Sequence, residues 1–179
     1  MEKKKEYKYD AFISYRHCDL DKFVAENLHK ILESYELPKN IKEQLGIEGR
    51  SIKRVFRDQD ELPLSSNLED PIVDALHNTK YLIVICSPNS AKSEWVNKEL
   101  EYFIRNRDIS YVIPFIVDGT PNAEDSQIDC FPLAMRNISK EKELLGINIH
   151  ESGKESALVK TISRLTNISY DMLWQRYNR

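Results

Sequence analysis

Residues 81–86, Tyr-Leu-Ile-Val-Ile-Cys, constrain this chain more than any other segment. A strand that is apolar on both faces must be covered on both, which is the condition of a central strand in a parallel sheet flanked by helices. Other apolar runs of strand length recur, with helical patterns between them. Ala11, Phe12 and Ile13 are consecutive within a first strand over 10–15, and residues 52–56 and 111–117 read as further strands. Residues 144–149 read as a short fifth. Strands alternating with helices over 179 residues predict a single α/β domain, with a five-stranded parallel sheet and helices on both faces.

The helical segments carry their own punctuation. Val24, Leu28, Ile31 and Tyr35 recur at helical spacing after Asp19 and Asp21, either of which can cap a helix that Pro38 ends. Residues 39–50 are polar and read as an insertion or loop with one helical turn. Residues 57–67 contain Pro63 and read as a loop, after which Ser66 or Asn67 caps a short helix running to Leu76. Ser87-Pro88-Asn89-Ser90 turns the chain into a helix whose buried stripe is Val96, Leu100 and Phe103. Glu99 lies at the edge of that stripe, with Trp95 and Tyr102 one turn to either side.

Residues 122–140 read as irregular. Ser152 and Glu155 have capping-box spacing ahead of a helix striped by Leu158, Ile162 and Leu165. Tyr170, Leu173, Trp174 and Tyr177 form the apolar face of a last amphipathic segment, which either packs back on the domain or mediates association.

A net charge of -3 with scattered Lys and Arg excludes a nucleic-acid partner. Lys3, Lys4 and Lys5, diluted by Glu2 and Glu6, read as a solvated tail. No apolar run approaches the about 20 residues of a membrane span, and the N-terminus lacks a signal-peptide core, so no membrane partner is expected. Cys18, Cys86 and Cys130 are odd in number and lack a CxxC, which suits small buried hydrophobes in a reducing cytoplasm. His17, His29, His77 and His150 have no metal-ligand spacing, so no metal site is expected.

In a doubly wound sheet, ligands gather beyond the carboxyl ends of the strands. Those ends carry Ser14-Tyr15-Arg16, Arg57-Asp58 and Ser87-Pro88-Asn89. The absence of glycine from Ser14-Tyr15-Arg16-His17-Cys18 excludes a dinucleotide fingerprint and a P-loop. Cys86-Ser87 stands where a phospho-receiver domain needs aspartate. A phosphate-bearing ligand would therefore have to be held by an arginine such as Arg16 or Arg57.

Three segments in register resemble the Toll/interleukin-1 receptor (TIR) domain family. They are Tyr9-Asp10-Ala11-Phe12-Ile13-Ser14-Tyr15, Arg57-Asp58-Gln59-Asp60-Glu61-Leu62-Pro63 and Ser93-Glu94-Trp95-Val96-Asn97-Lys98-Glu99-Leu100. The wording, including Ile128-Asp129-Cys130-Phe131-Pro132, is closer to bacterial TIR proteins than to animal receptors. The resemblance implies a flavodoxin-like fold with a flexible tail over 1–6, a TIR domain over 7–166 and a C-terminal amphipathic helical extension over 167–179. It also implies an NAD-cleaving enzyme of the type found in anti-phage defence, releasing nicotinamide and leaving ADP-ribose, a cyclised form or a conjugate. One carboxylate suffices for that chemistry, because nicotinamide leaves as a neutral base and needs no general acid. NAD is then the substrate and no cofactor is expected.

Glu99 matches the family's catalytic glutamate. Sequence geometry alone favours a solvated boundary carboxylate, paired with Lys92 or Arg107; the family register reverses that preference. Trp95 reads by itself as core, and by resemblance as lining the nicotinamide pocket. The resemblance implies nucleotide contacts for Tyr15 and Arg16, against a loop-packing tyrosine and a surface arginine. Phe56, Arg57, Asp58 and Asp60 border the loop after the second strand, and Asp58 and Asp60 read equally as turn residues bonding their own backbone. Pro63 is followed by Leu64-Ser65-Ser66 rather than the glycine common in TIR receptors, which speaks against receptor-like docking of that loop. Self-association through TIR–TIR contacts and a downstream effector sensing the product are further implications. The alternatives are a non-catalytic TIR scaffold and a virulence effector acting on host TIR signalling.

Overall fold

The computed structural model describes residues 6–58, 70–142 and 144–177. In chain order the elements are β1 (Tyr9–Ser14), α1 (Asp19–Ser34), α2 (Lys39–Leu45), β2 (Val55–Arg57), α3 (Asp70–His77), β3 (Thr79–Cys86), α4 (Pro88–Ala91) and α5 (Glu94–Asn106). They continue with β4 (Val112–Ile116), α6 (Leu133–Ser139), β5 (Ile147–Asn148), α7 (Ile149–Ser152), α8 (Lys154–Thr166) and α9 (Tyr170–Tyr177). The five strands form one sheet in the order β2-β1-β3-β4-β5, parallel throughout. Strand β3, which contains the apolar run 81–86, occupies its centre.

Strand alternation sorts adjacent residues to opposite sides. Ala11, Ile13, Tyr15, Ile83, Ile85, Ile113 and Phe115 form one core with α1, α8 and α9. Tyr9, Phe12, Leu82, Val84, Cys86, Val112 and Ile116 form the other with α3, α5 and α6. Each fully buried Ile or Leu contributes about 1.5–3 kcal/mol, so the two layers dominate stability. Consecutive residues at the end of β1, Ser14 and Tyr15, therefore face different helical layers.

Four local expectations are corrected. First, α1 buries Asp21, Ala25, Leu28 and Leu32, whereas Ile31 is 41% exposed. The buried stripe thus runs through Asp21, whose Oδ2 accepts from Ser87 Oγ at 2.7 Å. Neither Asp19 nor Asp21 caps it; the N-cap is Cys18, whose side chain makes no capping bond. Second, α1 ends at Ser34, and Pro38 is instead the N-cap of α2, which fills much of the stretch read as an insertion. Third, α6 lies inside the region read as irregular. Its Ala134 N–H donates to Asn97 Oδ1 on α5 at 2.8 Å, so a partner 37 residues away completes the helix start. Fourth, the Ser152/Glu155 capping box does not form. Gly153, with φ 81°, precedes α8, and Ser152 Oγ donates to the Asn148 carbonyl.

Of the two readings of the last segment, α9 packs back. Leu173 is buried, the Tyr170 ring stacks on Trp174 at 5.5 Å, and the Tyr170 hydroxyl meets Ser156 Oγ at 2.9 Å. Cys86 and Cys130 are buried as expected, whereas Cys18 is half-buried; all three are free thiols. Among the described residues, no helix is long and apolar enough to cross a membrane.

Candidate active site

The chain leaves β1 for β2 on one side and reaches β3 on the other, so the β1/β3 boundary is the switch point of the sheet. The candidate site is built there. Helix α5 begins with Ser93, whose Oγ accepts from the Val96 N–H at 3.2 Å, with Glu94 in the first turn and Arg105 in the last. It buries Val96, Glu99, Leu100 and Phe103. Glu99 is thus inside the buried face rather than at its edge, with 1% exposure.

The expected pairing with Lys92 or Arg107 is not made. Arg107 donates to the carbonyls of Thr79 and Lys80, each at 2.8 Å, and lies over the rings of Tyr7, Phe103 and Tyr111. Glu99 Oε1 instead accepts from Ser14 Oγ at 2.8 Å. Oε2 is buried without a hydrogen-bond partner among the described residues. Burial pushes the carboxyl up to about 8; the Ser14 bond opposes this, and the charge of Asp58 adds to it. An orphaned buried oxygen at a strand end is expensive to maintain, about 1–3 kcal/mol, and such groups mark sites.

The other residues expected at the site fall into three settings. Trp95 is half-buried and packs, with Tyr102, against the apolar layer around Val96 and Leu100. Phe56 is half-buried in the same layer, its ring 4.9 Å from Phe12 and 5.3 Å from Tyr9. Asp58, also half-buried, is near enough for its charge to act on Glu99. The rest of that loop, with Asp60 and Pro63, lies outside the described residues.

On the opposite face, Tyr15 is 2% exposed, and its hydroxyl donates to the Asp58 main-chain carbonyl. The same hydroxyl accepts from Arg57 Nη1 at 3.1 Å, and Arg57 Nε donates to His29 Nδ1 at 3.2 Å. His29 Nε2 lies 3.2 Å from Glu33, whose Oε1 also accepts from the Val55 N–H at 3.0 Å. The His17 ring stacks on Tyr15 at 4.5 Å. Tyr15 and Arg57 thus anchor the end of β2 and the first residue beyond it to α1.

Arg16 is half-buried and donates through Nη1 to the Asn89 carbonyl at 2.8 Å, strapping the loop after β1 to the short helix α4 that follows β3. Beside it, Asp21 is fully buried. Burial raises its pKa, against the bonds from Ser87 and Cys18 and the charge of Arg16.

The structure brings Ser14, Asp58 and Glu99 together, and joins Tyr15, Arg57 and Asp58 from the other layer. The sequence reading does not give Ser14, Asp21 or His29 a role in the site. A polar residue ending an apolar strand was the available signal for Ser14. Asp21 and His29 on α1 carried none. Among the described residues, no three His, Cys, Asp or Glu side chains converge to hold a metal ion. Chemically, Glu99 offers a single buried carboxyl with one free oxygen, neutral at rest and able to stabilise a neighbouring cation once ionised.

A family model described as TIR domain matches residues 11–145. The chain is 30% identical to an NAD(+) hydrolase, ApTIR, from Actinoplanes sp., over 75% of this chain and 18% of that protein. It is 29% identical to a probable 2' cyclic ADP-D-ribose synthase, TcpO, from Methanobrevibacter olleyae, over 83% of this chain and 38% of that protein. The chain therefore spans well under half the length of these curated relatives. A solved metazoan TIR-STING receptor from C. gigas aligns with TM-score 0.51 and 21% identity, over 92% of this chain and 41% of that one, a likeness of fold.

Proposed function

This chain belongs to the TIR domain family, and from that premise we propose that it cleaves the nicotinamide–ribose bond of NAD, with Glu99 as the catalytic carboxylate. The observation that carries the proposal is the Glu99 carboxyl itself, buried at the switch point with Oε1 held by Ser14 and Oε2 unpartnered among the described residues. The hydrolase and synthase names of the two curated relatives support it.

NAD carries its nicotinamide as a cationic pyridinium, which departs as a neutral base and leaves a ribosyl cation. Ionised Glu99 stabilises that cation in a site where little water screens it. The incoming pyridinium also favours the ionised form of an acid that burial holds neutral. The chemistry uses no metal and no further cofactor. Capture of the cation by water gives ADP-ribose; capture by a hydroxyl of the same molecule gives a cyclic product.

Trp95 lines the nicotinamide side, and Arg16, with donors beyond the one given to Asn89, meets a phosphate. Tyr15, Phe56, Arg57 and Asp58 frame the nucleotide. Because Glu99 is only 1% exposed, the active form has Oε2 uncovered, and self-association through TIR–TIR contacts supplies the opening. The catalytic domain spans 7–166, with 167–179 as its extension. The proposed setting is the cytoplasm, where the product signals to a downstream effector in anti-phage defence.

A second reading, a non-catalytic TIR scaffold, is favoured by the neutral, covered state of Glu99 at rest. Nicotinamide release from NAD, followed at high protein concentration or with a crowding agent, separates the two. Turnover abolished by Glu99→Gln supports the enzyme. Equal turnover by that variant refutes the role of Glu99, whereas no turnover by the wild type under any assembly condition favours the scaffold. Mass analysis of the product distinguishes hydrolysis from cyclisation.

A further inference from the structure

We propose that Ser14 is a positioning residue for Glu99, fixing which carboxyl oxygen faces the ribosyl cation and easing ionisation of the acid. The inference rests on the enzymatic reading of Glu99. Ser14 ends β1, is 1% exposed and pairs in register with Val84 of the central strand, so the sheet ladder holds its backbone in place. Its hydroxyl reaches Glu99 Oε1 at 2.8 Å across 85 residues of sequence.

Hydrogen bookkeeping then assigns the two carboxyl oxygens. A serine hydroxyl has one hydrogen to donate. Given to Oε1, it makes that oxygen the acceptor, so the ionised carboxylate keeps its unengaged lone pairs on Oε2. Oε2 is the oxygen without a partner among the described residues. When the acid ionises, the Ser14 bond becomes charge-assisted, which strengthens it. The same bond therefore favours the ionised form and leaves the free lone pairs on Oε2. Burial and the charge of Asp58 both oppose ionisation, and Ser14 is the one hydrogen bond among the described residues that assists it.

A Ser14 that merely filled space beside Glu99 would leave the carboxyl titration where it is, so the test reads the titration. The Glu99 carboxyl carbon is followed by NMR against pH, without NAD, in wild type, Ser14→Ala and Ser14→Thr. Nicotinamide release is followed against pH in the same proteins and in Glu99→Gln. The expected result is a midpoint, about 8 in wild type, that moves up in Ser14→Ala and returns in Ser14→Thr. The ionised fraction and kcat/KM below pH 7 fall by about tenfold or more in Ser14→Ala, with KM less affected than kcat. Should the alanine variant unfold, Ser14→Cys keeps the volume with a weaker donor and is expected between alanine and wild type.

An unmoved midpoint in Ser14→Ala, beside an inactive Glu99→Gln, overturns the inference and leaves the enzyme standing. Equal turnover by wild type and Glu99→Gln overturns the catalytic role of Glu99, and the positioning role with it.

Discussion

Arg57 and His29 meet behind the sheet, the guanidinium Nε donating to imidazole Nδ1 at 3.2 Å. That geometry requires an unprotonated Nδ1 and places the imidazole proton on Nε2, toward Glu33. The same guanidinium donates to the Tyr15 hydroxyl, which holds the Asp58 carbonyl. Arg57→Lys keeps the charge but lacks the planar fork that makes both bonds at once. It is expected to destabilise the fold by about 1–2 kcal/mol in urea unfolding. An unchanged unfolding midpoint with a raised KM for NAD would show instead that Arg57 serves the substrate alone.

Glu99 makes stability depend on pH. Its pKa in the folded protein is about 8, above the ordinary glutamate value, so between those values the native state binds the extra proton. Stability is present in full at acid pH and is lost as pH rises toward 8. At neutral pH the loss is about 3 kcal/mol, an order-of-magnitude figure. Urea unfolding of wild type at pH 5 and pH 8 is expected to show this decline. Glu99→Gln, which carries no titrating proton, is expected to flatten it. A wild-type profile rising over that interval would refute the assignment.

Ser87 serves two partners. Its Oγ donates to Asp21 Oδ2 at 2.7 Å and accepts from the Ser90 N–H at 3.0 Å. Ser87→Ala removes a helix cap and leaves a fully buried carboxyl short of a donor, so the expected loss is about 2 kcal/mol. Ser87→Ala combined with Asp21→Asn is expected to be less than additive, because the two groups share one bond. Additivity in unfolding measurements would show that the contact contributes nothing.

Leu173 is buried at 3% exposure in the layer shared by α1, α8 and α9. Leu173→Ala is expected to lower stability by about 2–4 kcal/mol without changing the sedimentation of the free protein. Altered association with unchanged stability would mean that α9 is an interface rather than part of the core.

The parts of the fold legible in the sequence were those set by local pattern. The run Leu82-Ile83-Val84-Ile85 requires cover on both faces and occupies the central strand. Strand ends were displaced by up to three residues, because a ladder ends where its partner does: β1 pairs with β2 from Ala11↔Val55 to Ile13↔Arg57 and no further. Helix caps were the weakest expectation, since Asp21 and Asn97 spend their side chains on distant partners, Ser87 and the Ala134 N–H. Such bonds leave no trace in spacing.

The sequence by itself determined a parallel doubly wound sheet, the absence of a glycine phosphate loop, and a motif register in which Glu99 is the residue to test. The sheet and the missing loop follow from side-chain period and from which residue types a loop contains, both local properties, and the register of Glu99 follows from the resemblance to the TIR family. Only the tertiary structure decided that Glu99 is buried rather than marginal. It also decided that Ser14 rather than Lys92 or Arg107 is its partner, and that Tyr15 and Arg57 face the opposite layer. Alternation along β1 sends neighbours in sequence to opposite sides, while packing of α5 against the strand end brings Ser14 and Glu99 together from 85 residues apart. The ionisation of the acid depends on that environment, and the environment exists only once the layers are assembled.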